Sequence, residues 1–574
     1  MKMDSETSSA STHEGVLDHG LETEFETPGP GQWNLDRSHF PGGTTPIMQS
    51  VLREAMETAF SKQWVLHGIP AETMSVAFVQ GFMYTRLRPL VLADRPSTKP
   101  PPTPLLKLLT RIHPEFRRRT KAAEKTLANS PAPAVIKEWH EEIRPRLVSI
   151  NLDFQNVDLS LLDNEGLLEH FNSVLDHLRF SMTEHFRLHG YDLGPIGQLL
   201  VEGQKWGLEG PELLAALVGA SPSTKAPLES LFKIRTLLEK DEVFPENLED
   251  VKKSPDAYAE LDSYLENRGS VLYAGYDLDT PTLRESPEVL LATILAATNP
   301  TSDANKPLEI ADQLRGRIPT NEHLLFDEAL HDAREAMDLR DDNGPITAEW
   351  PCGLLRLTIL EIGRRLKSSD HLVDEYHIFC LTDTEITNLL STGLGPSPKE
   401  IDQREKTRLQ QKLLDPPLTL GPPETPPPLN ALPAPLATTV SMVQVVINEL
   451  GMDGTKETDS NEHLLGIGIG DEKITGVARV AENAEEAIQR LQPGEILVTR
   501  ATSPAYNLVL TLVGGLITAE GGAMSHAAVL SRELGIPAVI GAAKAMTKIK
   551  DGDTVEIDSS KNSVTIKPEH SESS

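Results

Sequence analysis

The residue whose type and position are best suited to chemistry is His526. The residues before it predict a strand that ends at Thr518, a tight turn at Gly521 and Gly522, and a helix that begins at His526 with Ser525 as its cap. The first turn of a helix presents unpaired backbone N–H groups and the positive end of the helix dipole, which stabilise a phosphoryl group. Because neutral imidazole is a nucleophile near neutral pH, we predict a phosphohistidine at His526, with Thr518, Gly521, Gly522 and Ser525 as phosphate-binding residues.

The same local sequence also has a simpler interpretation. A histidine after Gly-Gly-x-x-Ser can be a solvated residue at a helix start, and the short motif alone leaves both interpretations open. Arg532 and Glu533 follow on the predicted helix, which Gly535 ends and Pro537 prevents from resuming. We expect Arg532 and Glu533 to be structural.

Arg340 is the first candidate for binding an acceptor, together with Asp342 and Asn343. A guanidinium binds phosphate oxygens with two parallel hydrogen bonds. An ion pair at a helix end is the alternative, and the sequence leaves both open. Arg356 is a similar candidate. We therefore predict Arg340, Asp342 and Arg356 as acceptor-binding residues.

Four histidines fall near one face of a predicted helix: His170, His177, His185 and His189. Metal ligation, lining of a pocket and ordinary packing are all compatible with this spacing. No pattern of carboxylates accompanies them, and the two cysteines, Cys352 and Cys380, lack metal-ligand spacing. We predict no metal site and no disulfide.

The elements that position these residues form two classes. From about residue 44 to 412, apolar residues recur at helical spacing between Pro, Gly and Asp or Asn breaks. We predict helices at Pro46–Trp64, Asn164–Arg187, Pro211–Val218, Leu228–Lys240, Glu288–Ala297 and Leu354–Leu366. Later runs predict strands at Val440–Val446, Thr475–Val480, Glu495–Val498, Gly515–Thr518, Ala538–Ile540 and Thr554–Ile557, with helices at Ala484–Leu491 and Ser525–Leu534.

The predicted fold is a large all-α domain followed by a compact α/β domain. Nine prolines between Asp415 and Pro435 predict an extended, semi-rigid spacer between the two. We expect a disordered acidic tail at 1–28, the helical domain at 29–412, the Pro-rich linker at 413–438 and the α/β domain at 439–570.

Charge and hydropathy exclude two classes of partner. The formal net charge of −31, from 85 acidic and 54 basic residues, argues against nucleic acid as the main partner. No run reaches about 18 consecutive apolar residues, and the N-terminus lacks the apolar core of a secretion signal. We expect a cytoplasmic protein that does not bind membranes.

The segment from Thr518 to Gly541 resembles the mobile phosphohistidine domain of phosphoenolpyruvate-utilising enzymes. That family's pattern runs Gly-Gly-x-x-Ser-His-Ala-Ala-Ile-x-Ala-Arg-Glu-x-Gly-Ile-Pro-Ala-Val-x-Gly, and almost every position matches. Gly494–Val498, Thr502-Ser503-Pro504 and Gly476–Val480 also resemble it, whereas Ile469-Gly470-Asp471 replaces its usual Ser-Pro-Gly turn. The resemblance implies that His526 carries a phosphoryl group. It also implies that residues 439–570 are a swivelling phosphohistidine domain and that the helical domain at 29–412 is a substrate-binding domain, which binds the acceptor.

Looser motifs extend the resemblance over roughly residues 29–570. They are similar to motifs of the helical domain of the rifampicin phosphotransferase branch: Trp33–Pro41, Tyr276-Asp277-Leu278, Glu285-Ser286-Pro287, Leu339–Asn343 and Phe379-Cys380-Leu381-Thr382. Trp33 and His39 are expected to anchor the N-terminal strand. Gly269-Ser270-Val271 stands where the family has Gly-His-Arg near the acceptor site.

In that branch an ATP-grasp domain precedes the helical domain, and this sequence resembles only the last two of the three domains. The resemblance therefore implies that ATP and Mg²⁺ are bound by a separate ATP-grasp protein, as in phenylphosphate synthase. We predict the phosphohistidine component of a dikinase-type phosphotransferase, which phosphorylates a hydroxyl of a small-molecule acceptor. The alternatives are a phosphorylation-driven dehydratase or cyclase, and a binding or regulatory protein whose transfer machinery is vestigial.

Overall fold

The computed structural model describes residues 24–36, 39–40, 42–91, 102–273, 275–297, 299, 306–450, 464–470, 472–502 and 506–567. Several predictions fall outside these ranges. They concern residues 1–23 of the expected tail, Arg37, Ser38 and Pro41 of the Trp33–Pro41 motif, Asp471, Ser503-Pro504, and the last residues of the swivelling domain, 568–570.

The N-terminal part is mostly helical. Its helices are α1 (Pro46–His67), α2 (Thr103–Ile112), α3 (Pro114–Ala128), α4 (Ala132–Glu138), α5 (Arg144–Gln155), α6 (Asn164–Lys205), α7 (Gly210–Ala215), α8 (Pro222–Lys240), α9 (Pro255–Arg268), α10 (Pro287–Ala296), α11 (Lys306–Gly316), α12 (His323–Gly344), α13 (Trp350–Ser368), α14 (Asp383–Thr392), α15 (Pro398–Gln411) and α16 (Ala434–Leu450). Each predicted helix overlaps one of them. The long helix α6 contacts α1, α12, α13 and α16 and is the centre of this part.

The all-α prediction for this part is wrong in one respect, because it also contains a four-stranded antiparallel sheet. The strands are β1 (Trp33–Leu35), β2 (Ala71–Val79), β3 (Phe82–Pro89) and β4 (Thr419–Leu420), in the order β2-β3-β1-β4. Gln80 and Gly81 form the hairpin turn, with positive φ of 52° and 83°. Gln-Gly lacks the Asn-Gly or Asp-Gly signature of such turns, which explains why the hairpin was missed.

The predicted strand Val440–Val446 is wrong, because these residues belong to helix α16. Its β-branched residues favour a strand locally, but α16 packs against α6. Gly197 of α6 permits this approach, since a Cβ there would lie 3.0 Å from the carbonyl oxygen of Met442. Tertiary packing has therefore overridden local propensity.

The Pro-rich segment does not act as a free spacer in this structure. Its residues Thr419–Leu420 form β4 and pair with β1, and the Tyr84 hydroxyl donates to the carbonyl of Pro417 at 2.9 Å. Arg86 forms an ion pair with Glu424 at 2.9 Å. Since α16 then packs on α6, the segment is followed by more of the helical part.

The C-terminal part is an α/β unit, as predicted. Its strands are β5 (Leu464–Leu465), β6 (Ile467–Ile469), β7 (Lys473–Val480), β8 (Ile496–Thr499), β9 (Gly515–Thr518), β10 (Ala538–Ile540), β11 (Thr554–Asp558) and β12 (Ser563–Lys567). Its helices are α17 (Ala484–Arg490), α18 (Asn507–Leu510), α19 (His526–Leu534) and α20 (Ala545–Lys548). The sheet order is β5-β12-β11-β7-β8-β9-β10-β6, and β7, β8, β9 and β10 are parallel.

The two parts share a hydrophobic core. Buried residues of α6, α7, α12 and α16 form one cluster with Ala523 and Met524, which immediately precede Ser525 and His526. The loop before the candidate phosphohistidine is therefore packed against the helical part. Among the described residues, no helix has both the length and the hydropathy needed to cross a lipid bilayer.

Candidate functional site

His526 is the first residue of α19. The Ser525 side chain caps the helix by accepting a hydrogen bond from the Ala528 N–H at 3.4 Å, and Gly535 ends it with a φ of 66°. Both features match the prediction, because capping depends on residues three or four apart. The imidazole is thus held in the first helical turn, where the N-terminal N–H groups converge.

The turn before Ser525 requires glycine. Gly521 has a φ of 115°, and a Cβ there would lie 2.9 Å from the Ser525 hydroxyl oxygen. The Thr518 hydroxyl donates to the carbonyl of Glu520 at 2.8 Å and accepts from the Gly541 N–H at 3.3 Å. Thr518 therefore fixes the loop in this structure, and phosphate binding by Thr518, Gly521, Gly522 and Ser525 stays a prediction.

The His526 ring is oriented by a residue from another strand end. Its Nδ1 lies 2.9 Å from the Thr502 hydroxyl oxygen. Thr502 follows β8 and the His526 loop follows β9, and the carboxyl ends of these parallel strands meet at one edge of the sheet. The sequence prediction missed this role of Thr502, although its place after a strand that neighbours β9 could have indicated it.

The surroundings of His526 favour its neutral form. Burial, and to a smaller extent the positive charge of Arg340, lower the pKa of the half-buried His526 to about 3. At neutral pH the ring is uncharged and keeps a nitrogen lone pair. This is the state that a nucleophile toward phosphorus needs.

Three hydrogen bonds join the His526 region to the helical part. Arg340 Nη2 donates to the Met524 carbonyl at 2.9 Å, the Met524 N–H donates to the Glu449 carbonyl at 2.6 Å, and the Gly219 N–H donates to the Glu533 carboxylate at 2.7 Å. The structure thus brings together Arg340 and His526, which the sequence had proposed separately. Glu533 also has the structural role that was expected for it.

Arg532 is structural as well. Its guanidinium donates to the Ala523 carbonyl at 2.5 Å, within the loop before His526. Burial lowers its pKa to about 10, and the nearby Glu449 carboxylate opposes this shift. Arg532 therefore stabilises the loop that precedes His526.

The other predicted acceptor-binding residues are held elsewhere. Asp342 is buried and accepts hydrogen bonds from Arg144 and from the Trp139 indole, the latter at 3.3 Å. Arg356 donates to both carboxylate oxygens of Glu285, at 2.9 and 3.0 Å. Both residues thus form ion pairs, which was the alternative interpretation of their sequence pattern. Acceptor binding by Asp342 and Arg356 stays a prediction.

The four histidines of α6 separate into two pairs. His177 lies 2.8 Å from the Asn151 side chain, and the His170 ring packs on Phe154, so this pair is engaged in packing. The rings of His185 and His189 are 4.7 Å apart and belong to a different environment. No group of three or more His, Cys, Asp or Glu within the described ranges is arranged to hold a metal ion.

Gly269-Ser270-Val271 packs tightly against α13. A Cβ on Gly353 would lie only 1.8 Å from the Ser270 carbonyl oxygen, and the side chains of Ser270 and Val271 are buried. This turn supplies packing and no titratable side chain. The Leu272 N–H that follows donates to the carbonyl of Glu349 at 3.3 Å.

Comparison with known proteins shows what the C-terminal part is similar to. Residues 491–562 match the family model described as "PEP-utilising enzyme, mobile domain". The chain is 31% identical over 332 residues to chondramide synthase cmdD of Chondromyces crocatus, which covers 54% of this chain and 8% of that protein. It is 28% identical over 211 residues to the uncharacterized phosphotransferase YvkC of Bacillus subtilis (strain 168). That match covers 37% of this chain and 23% of YvkC.

The chain is also 40% identical over 96 residues to the rifampicin phosphotransferase of Bacillus cereus. That match covers 17% of this chain and 11% of the rifampicin phosphotransferase. This chain therefore spans less than a quarter of each of these three relatives. Residues 491–562, which include the capped helix α19, therefore match the mobile domain of PEP-utilising enzymes.

Proposed function

We propose that this chain is the phosphohistidine component of a dikinase-type phosphotransferase. His526 receives a phosphoryl group and passes it to a hydroxyl of a small molecule bound by the helical part. The observation that carries the proposal is the docking of His526, a neutral imidazole at a helix N-terminus, directly beside Arg340 of the helical part. Phosphotransferases among the relatives support the same reaction type.

The geometry favours Nε2 as the phosphorylated nitrogen. Thr502 holds Nδ1, so attack through Nε2 leaves this hydrogen bond intact. The N-terminal N–H groups of α19 and the charge of Arg340 then stabilise the negative oxygens of the phosphoryl group. Transfer relies on positioning and electrostatics, as phosphoryl transfers generally do.

We propose that a separate ATP-grasp protein loads His526 from ATP and Mg²⁺. The sequence contains no Gly-x-x-x-x-Gly-Lys-[Ser/Thr] loop that would hold nucleotide phosphates. His526 then alternates between that partner and the helical part, and the docked arrangement corresponds to the state that faces the acceptor.

Acid-labile phosphate tests the proposal. The purified chain is incubated with Mg-ATP labelled at the β or γ position, with and without host extract. We expect label only with extract, its loss in His526→Ala, and its retention in a control, His371→Ala, at a half-buried histidine of the helical part. Absence of label under every condition would contradict the proposal.

A binding or regulatory role is the second candidate. It is favoured by the structural engagement of Asp342 and Arg356 and by the lack of a titratable group at Ser270-Val271. In that case the helical part binds its ligand equally well with His526→Ala, and no phosphorylated product forms.

A further inference from the structure

Helices α2 and α3 carry an excess of positive charge in an otherwise acidic chain. Residues 103–128 contain seven Lys or Arg and two Glu, whereas the rest of the chain contains 47 Lys or Arg and 83 Asp or Glu. The formal net charge of the whole chain is −31. A local surface whose charge is opposite to that of its surroundings attracts negatively charged partners to that place.

Helix α2 also presents an apolar stripe to solvent. Leu105, Leu108 and Ile112 are spaced three and four residues apart, which places them on one face of the helix. Their exposed fractions are 56%, 54% and 62%. The opposite side of α2 is the buried one, with Leu106 and Thr110. Single exposed apolar residues are ordinary, but three in one stripe are typical of a contact surface.

Helix α3 follows α2 directly and carries a row of cations. Arg117, Lys121 and Lys125 are spaced four residues apart and are exposed. Within the part of the chain that the structure describes, no carboxylate forms an ion pair with any of the three, and Glu115 pairs instead with Arg118 at 3.4 Å. We call these three cations and the three residues of the apolar stripe the α2–α3 surface.

The α2–α3 surface is firmly attached to the helical part. Phe116 and Ala123, on the inner side of α3, are buried in a cluster with Leu436 of α16. Helix α3 also lies against the end of α1, since a Cβ on Gly68 would lie 2.4 Å from the backbone nitrogen of Ala123. Because these contacts use the inner side of α3, its cations stay in solvent.

Helix α16 connects this surface with the His526 loop. Leu436, near the start of α16, packs on α3, and the Glu449 carbonyl, near its end, accepts the Met524 N–H at 2.6 Å. The part of α16 between Leu436 and Glu449 spans about 20 Å. A small domain is about 30 Å across, so one bound protein can contact the α2–α3 surface and still reach His526.

We propose that the α2–α3 surface is the docking site of the protein that loads His526, and that this protein presents an acidic face with an apolar centre. This inference rests on the proposed function. Charge complementarity is the reason for this occupant, because free cations attract acidic side chains and fix their register. The apolar stripe then supplies the contact area that excludes water.

Two other polyanions match the charge of the surface but not its remaining features. A nucleic acid would leave the apolar stripe without a partner, because phosphates are bound by cations and polar groups. An anionic bilayer extends beyond the surface and would repel the rest of the chain, with its 83 acidic and 47 basic residues. An acidic face of limited size avoids this repulsion.

The test compares two ways of phosphorylating the full-length chain. In the first, labelled Mg-ATP and a limiting amount of host extract are added, and the initial rate of acid-labile labelling of His526 is measured. In the second, phosphoramidate phosphorylates His526 chemically, without a protein partner. The second reaction shows whether a variant is folded and keeps a reactive His526.

Two double variants change the surface in different ways. We expect Arg117→Glu with Lys121→Glu to lower the extract-dependent rate by at least about tenfold, because like charges across an interface repel. Leu108→Ser with Ile112→Ser should lower it similarly without a change of charge. The control is Lys240→Glu with Lys399→Glu, which makes the same change of charge at exposed lysines of α8 and α15 and should keep the wild-type rate. Chemical loading should be equal in all four proteins.

Equal extract-dependent rates in Arg117→Glu with Lys121→Glu and in the wild type would overturn the docking site and leave the proposed function intact. Sedimentation of the chain with phosphatidylglycerol vesicles, abolished by the same substitutions while labelling is unchanged, would assign the surface to a membrane and also overturn it. A wild-type chain that gains no label from extract removes the proposed function, and the docking site with it. The failures are therefore distinguishable.

Discussion

At the scale of single residues, two neighbours with different roles act on the His526 ring. Thr502 contacts Nδ1 and fixes the ring orientation, whereas Arg340 supplies a positive charge from the helical part. In the proposed transfer, Arg340 would disfavour the protonated ring before phosphorylation and would stabilise the anionic phosphoryl group after it. The same positive charge would therefore favour both stages.

The first prediction concerns the pKa of His526. In the folded protein this pKa is about 3, so the ring should stay neutral from pH 8 down to about pH 4. Arg340→Met removes one cause of the shift and should raise the pKa, while Arg317→Met, at an exposed ion pair with Glu212, should not. Imidazole NMR shifts measured against pH provide the values. A wild-type midpoint near 6.5 would contradict the prediction.

The same shift has a consequence for stability. Because the folded pKa lies below the unfolded value of 6.5, the unfolded chain binds the proton more tightly between about pH 3 and 6.5. The contribution of His526 to stability is therefore present above pH 6.5 and is lost as the pH falls toward 3.

At the scale of elements, the turn between β9 and α19 determines where the imidazole lies. Gly521 has a positive φ and, without a Cβ, leaves room for the Ser525 side chain. The Thr518 hydroxyl accepts a hydrogen bond from the N–H of Gly541, which follows β10. The histidine position thus depends on backbone conformation several residues earlier.

The second prediction compares two glycines with positive φ. Gly521→Ala should lower the free energy of unfolding by about 1 kcal/mol for backbone strain, plus about 1–3 kcal/mol for the contact with Ser525. Gly494 has a φ of 89°, and a Cβ there would have no atom within 4 Å. Gly494→Ala should therefore lower the free energy of unfolding only by the amount for backbone strain. Denaturant unfolding of both variants measures the difference. Equal losses would show that the turn has room for a side chain.

At the scale of the whole molecule, docking of the C-terminal part uses a few buried polar contacts around an apolar centre. Glu533 accepts the Gly219 N–H, and Met524 lies in the core cluster shared with α6 and α12. Such an interface can hold the two parts together and still allow them to move apart, because interfaces between domains of one chain are commonly small.

The third prediction tests this docking. Glu533→Ala leaves the Gly219 N–H without its acceptor, which costs about 1–3 kcal/mol at a buried site. Hydrogen–deuterium exchange at the Gly219 and Met524 amides should then accelerate by about tenfold or more, whereas Glu482→Ala, at an exposed acid of the same part, should leave it unchanged. Unchanged exchange in Glu533→Ala would show that this contact does not hold the parts together.

The sequence by itself determined the features that depend on near neighbours. Ser525, His526 and Gly535 specify the capped helix α19 through contacts three to four residues apart, and the apolar spacing of α1, α6 and α13 specified those helices. For the same reason the parallel strands around His526 were located within one or two residues.

Only the tertiary structure decided the contacts between residues far apart in the chain. It brought Thr502 and Arg340 to the His526 loop, made a helix of Val440–Val446 by packing it on Gly197, and buried Glu349 near Tyr276. The energies of burial and charge at such positions depend on neighbours that are from about twenty to more than two hundred residues away in sequence. Local sequence patterns do not encode these neighbours, so such contacts could be recognised only in the folded chain.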